Sequence, residues 1–183
     1  MYPSNEILTP NSTKTEYLFI DTRTTDPDIG NKVTFDDPTK MKFRIKFNET
    51  ASVAAGQLAH ALTPGVAYKN IKSVELCGMS FSSNFLANVD FASYQYLIID
   101  IDELNGRVHS NSQFVHGVFA ILYLEDMKAY HKGADFFEKI KRFNPPLSSL
   151  SSLNVRILTP ENTVLSIPDD GSLTMMFKII TVV

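Results

Sequence analysis

The segment Met41-Lys-Phe-Arg-Ile-Lys-Phe47 alternates apolar and cationic residues without a break. Successive side chains of a β-strand point to opposite faces. Met41, Phe43, Ile45 and Phe47 therefore share one face, and Lys42, Arg44 and Lys46 the other. One buried face and one wet face is the pattern of an antiparallel sandwich. The cations also discourage edge-to-edge pairing of the strand. Leu153 to Leu158 alternates again, with Leu153, Val155 and Ile157 opposite Asn154 and Arg156. The chain closes on Leu173-Thr-Met-Met-Phe-Lys-Ile-Ile-Thr-Val-Val183, apolar enough to tie this end into a core.

Between these anchors the sequence reads as further short strands separated by turn chemistry. Tyr68 to Leu76, continuing to Met79, and Tyr94 to Ile101 are β-rich, with a loop expected from Ser80 to Asn88. Asn105-Gly106 is a turn signal. Phe114 to Leu124 is mostly apolar and suits a strand buried on both faces, with Gly117 marking a bulge or a close backbone approach. Asp135 to Phe143 fits either a strand or one helical turn, and Asn144-Pro-Pro146 is expected to stop whatever precedes it. Thr159-Pro-Glu-Asn162 is a turn, Val164 to Ile167 a short return strand, and Asp169-Asp-Gly171 another turn. The exception to the β pattern is Ala51 to Leu62, whose alanines favour a short helix ending near Thr63-Pro-Gly65.

Residues 1 to 31 are polar, with Pro3, Pro10 and Pro27, except for the apolar island Tyr17-Leu-Phe-Ile20. Two readings fit: an extended N-terminal arm carrying one strand-sized apolar piece, or else a disordered tail or an edge strand of the same domain. The organisation expected is an arm over 1–31 and one domain over 32–183, as the 183-residue length allows. That length buries a core without disulfides or a structural metal. About eight short strands make the fold class all-β, an antiparallel sandwich. An immunoglobulin-type core of Cys…Trp…Cys is excluded by a single cysteine and no tryptophan, which favours a single jelly roll.

Composition narrows the function classes. The net charge of −3 supplies no basic field for non-specific nucleic-acid binding. Lys132 with Lys139, Lys141 and Arg142 is a small cluster offset by Asp135 and Glu138. No secretion signal and no membrane-spanning apolar run of about 18 residues is visible. The N-x-[ST] triplets at Asn11 and Asn48 accordingly read as chance matches, and assembly in a reducing compartment is expected.

The residues that could carry chemistry do not converge. His60, His109, His116 and His131 form no H-x-H or H-x-x-x-H pair, so neither a cupin-type metal site nor any other metal ligation is expected. Asp100 and Asp102 share a strand face with Glu103 beside them. Paired carboxylates can run acid–base chemistry or bind Ca²⁺, but a solvated strand face accounts for these. Cys77 lies between apolar neighbours and is expected to behave as a small hydrophobe. No nucleophile elbow, phosphate loop or dinucleotide fingerprint occurs. The expectation is no catalytic residue, no cofactor and no metal: a domain that works through its surfaces, not an enzyme.

Three segments in order carry a resemblance: Tyr68-Lys-Asn-Ile-Lys-Ser-Val-Glu-Leu76 leading into Ser80-Phe-Ser-Ser-Asn84; Tyr96-Leu-Ile-Ile-Asp-Ile-Asp-Glu-Leu-Asn-Gly106; and Leu147 to Ile157 with its Thr159-Pro-Glu-Asn-Thr-Val continuation. Over roughly residues 40–183 the chain resembles the single jelly-roll vertex (penton) and minor capsid proteins of large icosahedral nucleocytoplasmic DNA viruses. The resemblance implies a structural capsid protein, foremost the penton subunit forming homopentamers. Its partners would be neighbouring major and minor capsid proteins, without direct nucleic-acid contact or a membrane span. Its location would be the virion, assembled in the host cell cytoplasm. A minor or cement capsid protein and a jelly-roll attachment module are the alternatives. Elemental analysis of purified protein is expected to find no stoichiometric transition metal; one metal per chain would revive the cupin-type reading.

Overall fold

The computed structural model describes residues 12–23, 32–47, 68–88, 93–106, 115, 117–124, 136–137, 140–169 and 171–183. Ten strands and one short helix are described: β1 (Thr13–Asp21), β2 (Lys32–Phe35), β3 (Lys42–Lys46), β4 (Tyr68–Phe81), α1 (Ser83–Asn88), β5 (Tyr96–Ile101), β6 (Ala120–Tyr123), β7 (Phe136–Phe137), β8 (Ile140–Leu150), β9 (Ser152–Leu158) and β10 (Leu173–Val182). They form two sheets, one in the order β1-β10-β4-β8 and one in the order β2-β3-β9-β5-β6-β7. Every pairing is antiparallel. The all-β sandwich expected from the alternation is what the chain adopts.

The alternating segments behave as their period requires. Phe43 and Ile45 of β3, with the flanking Met41 and Phe47, are buried, and Lys42, Arg44 and Lys46 are exposed. On β9, Leu153, Val155 and Ile157 enter the same core. From the opposing sheet, Leu173, Met175, Phe177 and Ile179 of β10 meet them, with Val74 and Leu76 of β4. Burial of this apolar area is the main favourable term in folding, at about 25 cal/mol per Å².

The strand Thr13–Asp21 belongs to this domain. Thr13 to Asp21 pair continuously with Val182 to Thr174 of β10, and Leu18 and Ile20 are buried in the core. Of the two readings of the Tyr17–Ile20 island, the edge strand is the observed one, so the expected arm over 1–31 is corrected across its described part. The physical reason is that two aliphatic side chains gain burial by docking a strand whose other requirements β10 satisfies. The expected helix near residues 51–62 lies outside the described residues.

Two further expectations change. Asn144-Pro-Pro146 does not end a strand: β8 continues through it, on the edge of its sheet where a missing N–H costs no ladder bond. The irregularity is absorbed between Ile71↔Leu147 and Ser73↔Arg142, where five steps along β8 face two along β4. The loop expected at Ser80–Asn88 is instead the end of β4 and the helix α1. Ser82 starts that helix: its hydroxyl accepts from the Phe85 backbone N–H at 3.2 Å, as an N-cap does, and from the Ser172 N–H at 3.0 Å. Phe85 is thereby turned into the core.

Of the strand expected from Phe114 to Leu124, the described residues form one over Ala120–Tyr123, and Ala120, Ile121 and Leu122 are buried on its two faces. Ala120 and Leu122 join the main core, while Ile121 joins a second cluster on the outer side of the six-stranded sheet with Ile98, Val115, Val118 and Leu158. Gly117 has φ +86°, a left-handed conformation that excludes a β-branched residue. Gly106 donates its N–H to the Val118 carbonyl, and an added Cβ would sit 2.9 Å from that oxygen.

Phe177→Ala is expected to destabilise the domain by about 3–5 kcal/mol in urea titration, from lost burial plus the cavity left between the sheets. Leu18→Ala is expected to cost about 2–5 kcal/mol on the same grounds. A Leu18→Ala cost near zero would return β1 to an arm independent of the domain.

Candidate functional site

The densest polar arrangement lies on the outer face of the six-stranded sheet, where β3, β9 and β5 run side by side. Cross-strand pairing sets Arg44 opposite Asn154 and Asp100 opposite Arg156. Because Val155 and Ile157 point inward, the intervening Asn154 and Arg156 must point outward, and the same parity holds for Arg44 and Asp100. The register, not the chain order, brings these four residues together.

Arg156 is the hub. Its Nη2 lies 2.5 Å from Asp100 Oδ2 and 2.8 Å from Asp102 Oδ1, so one guanidinium bridges both carboxylates. With its nitrogen turned toward Asp100, the Asn105 amide donates to that carboxylate at 2.8 Å and to the Ile101 carbonyl at 3.1 Å. Glu103 accepts from the Asn154 backbone N–H at 2.8 Å and also from the Asn154 side-chain amide. The oxygen of that amide accepts from Arg44 Nε at 2.6 Å. The three carboxylates thus fasten the turn after β5, closed by Leu104 N–H donating to the Ile101 carbonyl, onto β9.

The expectation of a solvated carboxylate face is corrected for Asp100, which is only 8% exposed. The end of β5 sits beside Arg156 and beneath the turn, so the carboxylate loses water and gains a guanidinium. Burial pushes its carboxyl above the usual range, and this outweighs the downward pull of Arg156. Asp102, by contrast, is exposed. Each carboxylate of the network is held by a guanidinium or an amide, an arrangement suited to positioning the turn. Arg156 Nε is buried without a hydrogen-bond partner among the described residues.

Among the other sequence candidates, Cys77 and Lys141 are described. Cys77 is half-buried on β4, where it is the extra residue of a bulge between Met176↔Gly78 and Phe177↔Leu76, with its sulfur 3.9 Å from the Glu75 carbonyl. Lys141 donates to the Asn105 carbonyl at 2.6 Å, tying β8 of one sheet to the turn of the other. His60, His109, His116, His131, Lys132, Lys139, Asn11 and Asn48 lie outside the described residues. No group of three or more His, Cys, Asp or Glu side chains that could hold a metal occurs among the described residues. No helix among them is long and apolar enough to cross a membrane.

An open cleft of about 350 Å³ lies beside the hairpin after β9, lined by Tyr94, Thr159, Glu161, Thr163, Val164 and Ser166 among others. Among the described residues its lining holds one carboxylate, Glu161, and the Tyr94 phenol.

The sequence reading singled out Asp100, Asp102 and Glu103 but missed Arg156, Asn154, Arg44 and Asn105. The available signal was the polar parity of β9 beside that of β5; what it lacked was the register pairing 100 with 156. In comparisons with known proteins, the chain matches no family model and no curated sequence.

Arg156→Met is expected to destabilise the domain by about 1–3 kcal/mol at neutral pH. This is below the cost of breaking a fully buried pair, because Arg156 is 38% exposed. A raised folded-state value means that the native protein binds the Asp100 proton more tightly than the unfolded chain does. That contribution is present below the ordinary aspartate range and is lost as pH rises through the raised value. Removing the guanidinium raises the value further, so the deficit should be smaller at about pH 4 than at about pH 7. Equal deficits in urea titrations at the two pH values would rule out Asp100 as the group responsible.

Proposed function

We propose that this chain is a structural capsid protein of a large icosahedral DNA virus, specifically the penton subunit that closes into pentamers at the vertices. The observation that carries the reading is the strand order. Strands β1-β10-β4-β8 face a second sheet whose inner four are β3-β9-β5-β6. The chain therefore passes repeatedly between sheets, and its first strand pairs with its last, the interleaving expected of a single jelly roll. With the resemblance over residues 40–183, this supports a role in assembly. Its link to function is by analogy of fold.

The mechanism is one of surfaces. Five copies meet through heterologous side-to-side contacts, each using two different patches, so that the rotation closes into a ring. Loops at one end of the sandwich face outward, and the flanks meet neighbouring major and minor capsid proteins. The subunit acts in the virion, after assembly in the host cell cytoplasm, and needs neither a cofactor nor direct contact with nucleic acid. The turn held by Arg156 serves this role as a rigid rim element.

Sedimentation of the purified chain over a range of concentrations tests the reading. The expected species is five times the 20.5 kDa chain mass. A stable trimer overturns the vertex role and favours an attachment module.

A further inference from the structure

The two edges of the four-stranded sheet are not equally defended. On one edge β8 carries Pro145 and Pro146 within the strand. Edge prolines are a usual protection against strand addition. The opposite edge, β1, has nine residues, no proline and an uninterrupted register against β10. Among the described residues no strand pairs with its other side.

The ladder fixes which backbone groups face that open side. Val183 donates to the Ser12 carbonyl, and Thr22 donates to that of Leu173. Hydrogen-bonded pairs alternate along an antiparallel ladder, so the even-numbered residues of β1 turn their N–H and C=O groups toward β10. Thr13, Thr15, Tyr17, Phe19 and Asp21 turn theirs outward. Two of these same residues present large aromatics, Tyr17 at 64% and Phe19 at 63% exposure, with the exposed Met176 paired to Phe19.

We infer that the outer edge of β1 is a strand-addition site for an extended, uncharged segment of another protein, with apolar side chains at alternate positions that lie along Tyr17 and Phe19. The backbone groups demand an extended occupant, because only a strand can meet a row of alternating donors and acceptors. The charges specify its character. Lys14 is neutralised by Glu16 at 2.8 Å and Asp21 by Arg23 at 2.6 Å, so these charged residues of the described edge are paired within it. A second copy is a poorer complement. With β1 of two copies fully overlapped and antiparallel, Lys14 would face the partner's Ile20 and Glu16 the partner's Leu18, placing charges against buried aliphatics. The inference rests on the edge itself and stands whether or not the vertex reading holds.

The test is to pan a random nine-residue peptide library against the immobilised full chain and to measure recovered peptides by fluorescence anisotropy. Tyr17→Pro is the deciding variant. It removes an outward N–H while leaving every β10 ladder bond, so the circular dichroism and unfolding midpoint should be retained. Phe19→Pro repeats the test at the next outward amide should Tyr17→Pro fold poorly. Recovered peptides are expected to be uncharged in their central residues and to bind either proline variant about ten-fold more weakly than the wild type. Tyr17→Thr with Phe19→Thr, which keeps the edge and removes the aromatics, should cause a smaller loss. Failure to recover any peptide, or equal binding to the proline variants, overturns the inference. So does a wild-type dimer that Tyr17→Pro dissolves, which would give the edge to a second copy. A pentamer unaffected by these variants leaves the inference and the vertex role separable.

Discussion

The structure depends on β10. This strand lies between β1 and β4 in the four-stranded sheet, so the last residues of the chain supply backbone partners to both a segment near the start and one near the middle. Its inward side chains, Leu173, Met175, Phe177 and Ile179, are all buried and form one wall of the core. Without it, β1 has no ladder and Leu18 and Ile20 no site to fill. Most contacts in such a topology are between residues far apart in sequence, so loop-closure entropy must be paid before the apolar interface returns it.

The register irregularities against β10 are visible in the burial pattern of β4. Its buried positions, Tyr68, Ile71, Val74, Leu76 and Met79, are spaced by two or three residues rather than by a constant two. The register shifts opposite Met176/Phe177 and Ile180/Thr181 explain the steps from Leu76 to Met79 and from Ile71 to Val74, since each inserts an extra residue and resets the parity. The step from Tyr68 to Ile71 passes through Asn70, whose φ is +51°. Cys77 is one of these extra residues. Its half-buried position follows from the bulge and requires no chemical role.

The outer face of the six-stranded sheet is divided between two kinds of interaction. Ile98, Ile121 and Leu158 form an apolar patch covered by Val115 and Val118, while the neighbouring Asp100, Asn154 and Arg156 form the polar network. The polar network holds the turn through Asn105, and the apolar patch holds Val115 and Val118. Gly106 packs against the Val118 carbonyl, where no side chain fits. Packing and charge thus act on neighbouring described residues after β5, on the sheet opposite β1.

The sequence by itself determined the fold class, because period-two alternation in Met41–Phe47 and Leu153–Leu158 has no use except a sheet with one buried face. It also determined which side chains of β3 and β9 enter the core. Turn chemistry located the breaks but not their outcome: Pro145 and Pro146 read as a stop, yet an edge position accommodates them within β8. Parity alone could not show that β4 changes phase, since a bulge depends on the partner strand. Only the tertiary structure decided that Thr13–Asp21 is an edge strand of the domain, that Asp100 is buried, and that Arg156 lies across from it. The physical reason is the same in each case. Alternation records the face of a residue, whereas register and edge position arise from pairing with residues more than fifty positions away, which no local pattern encodes.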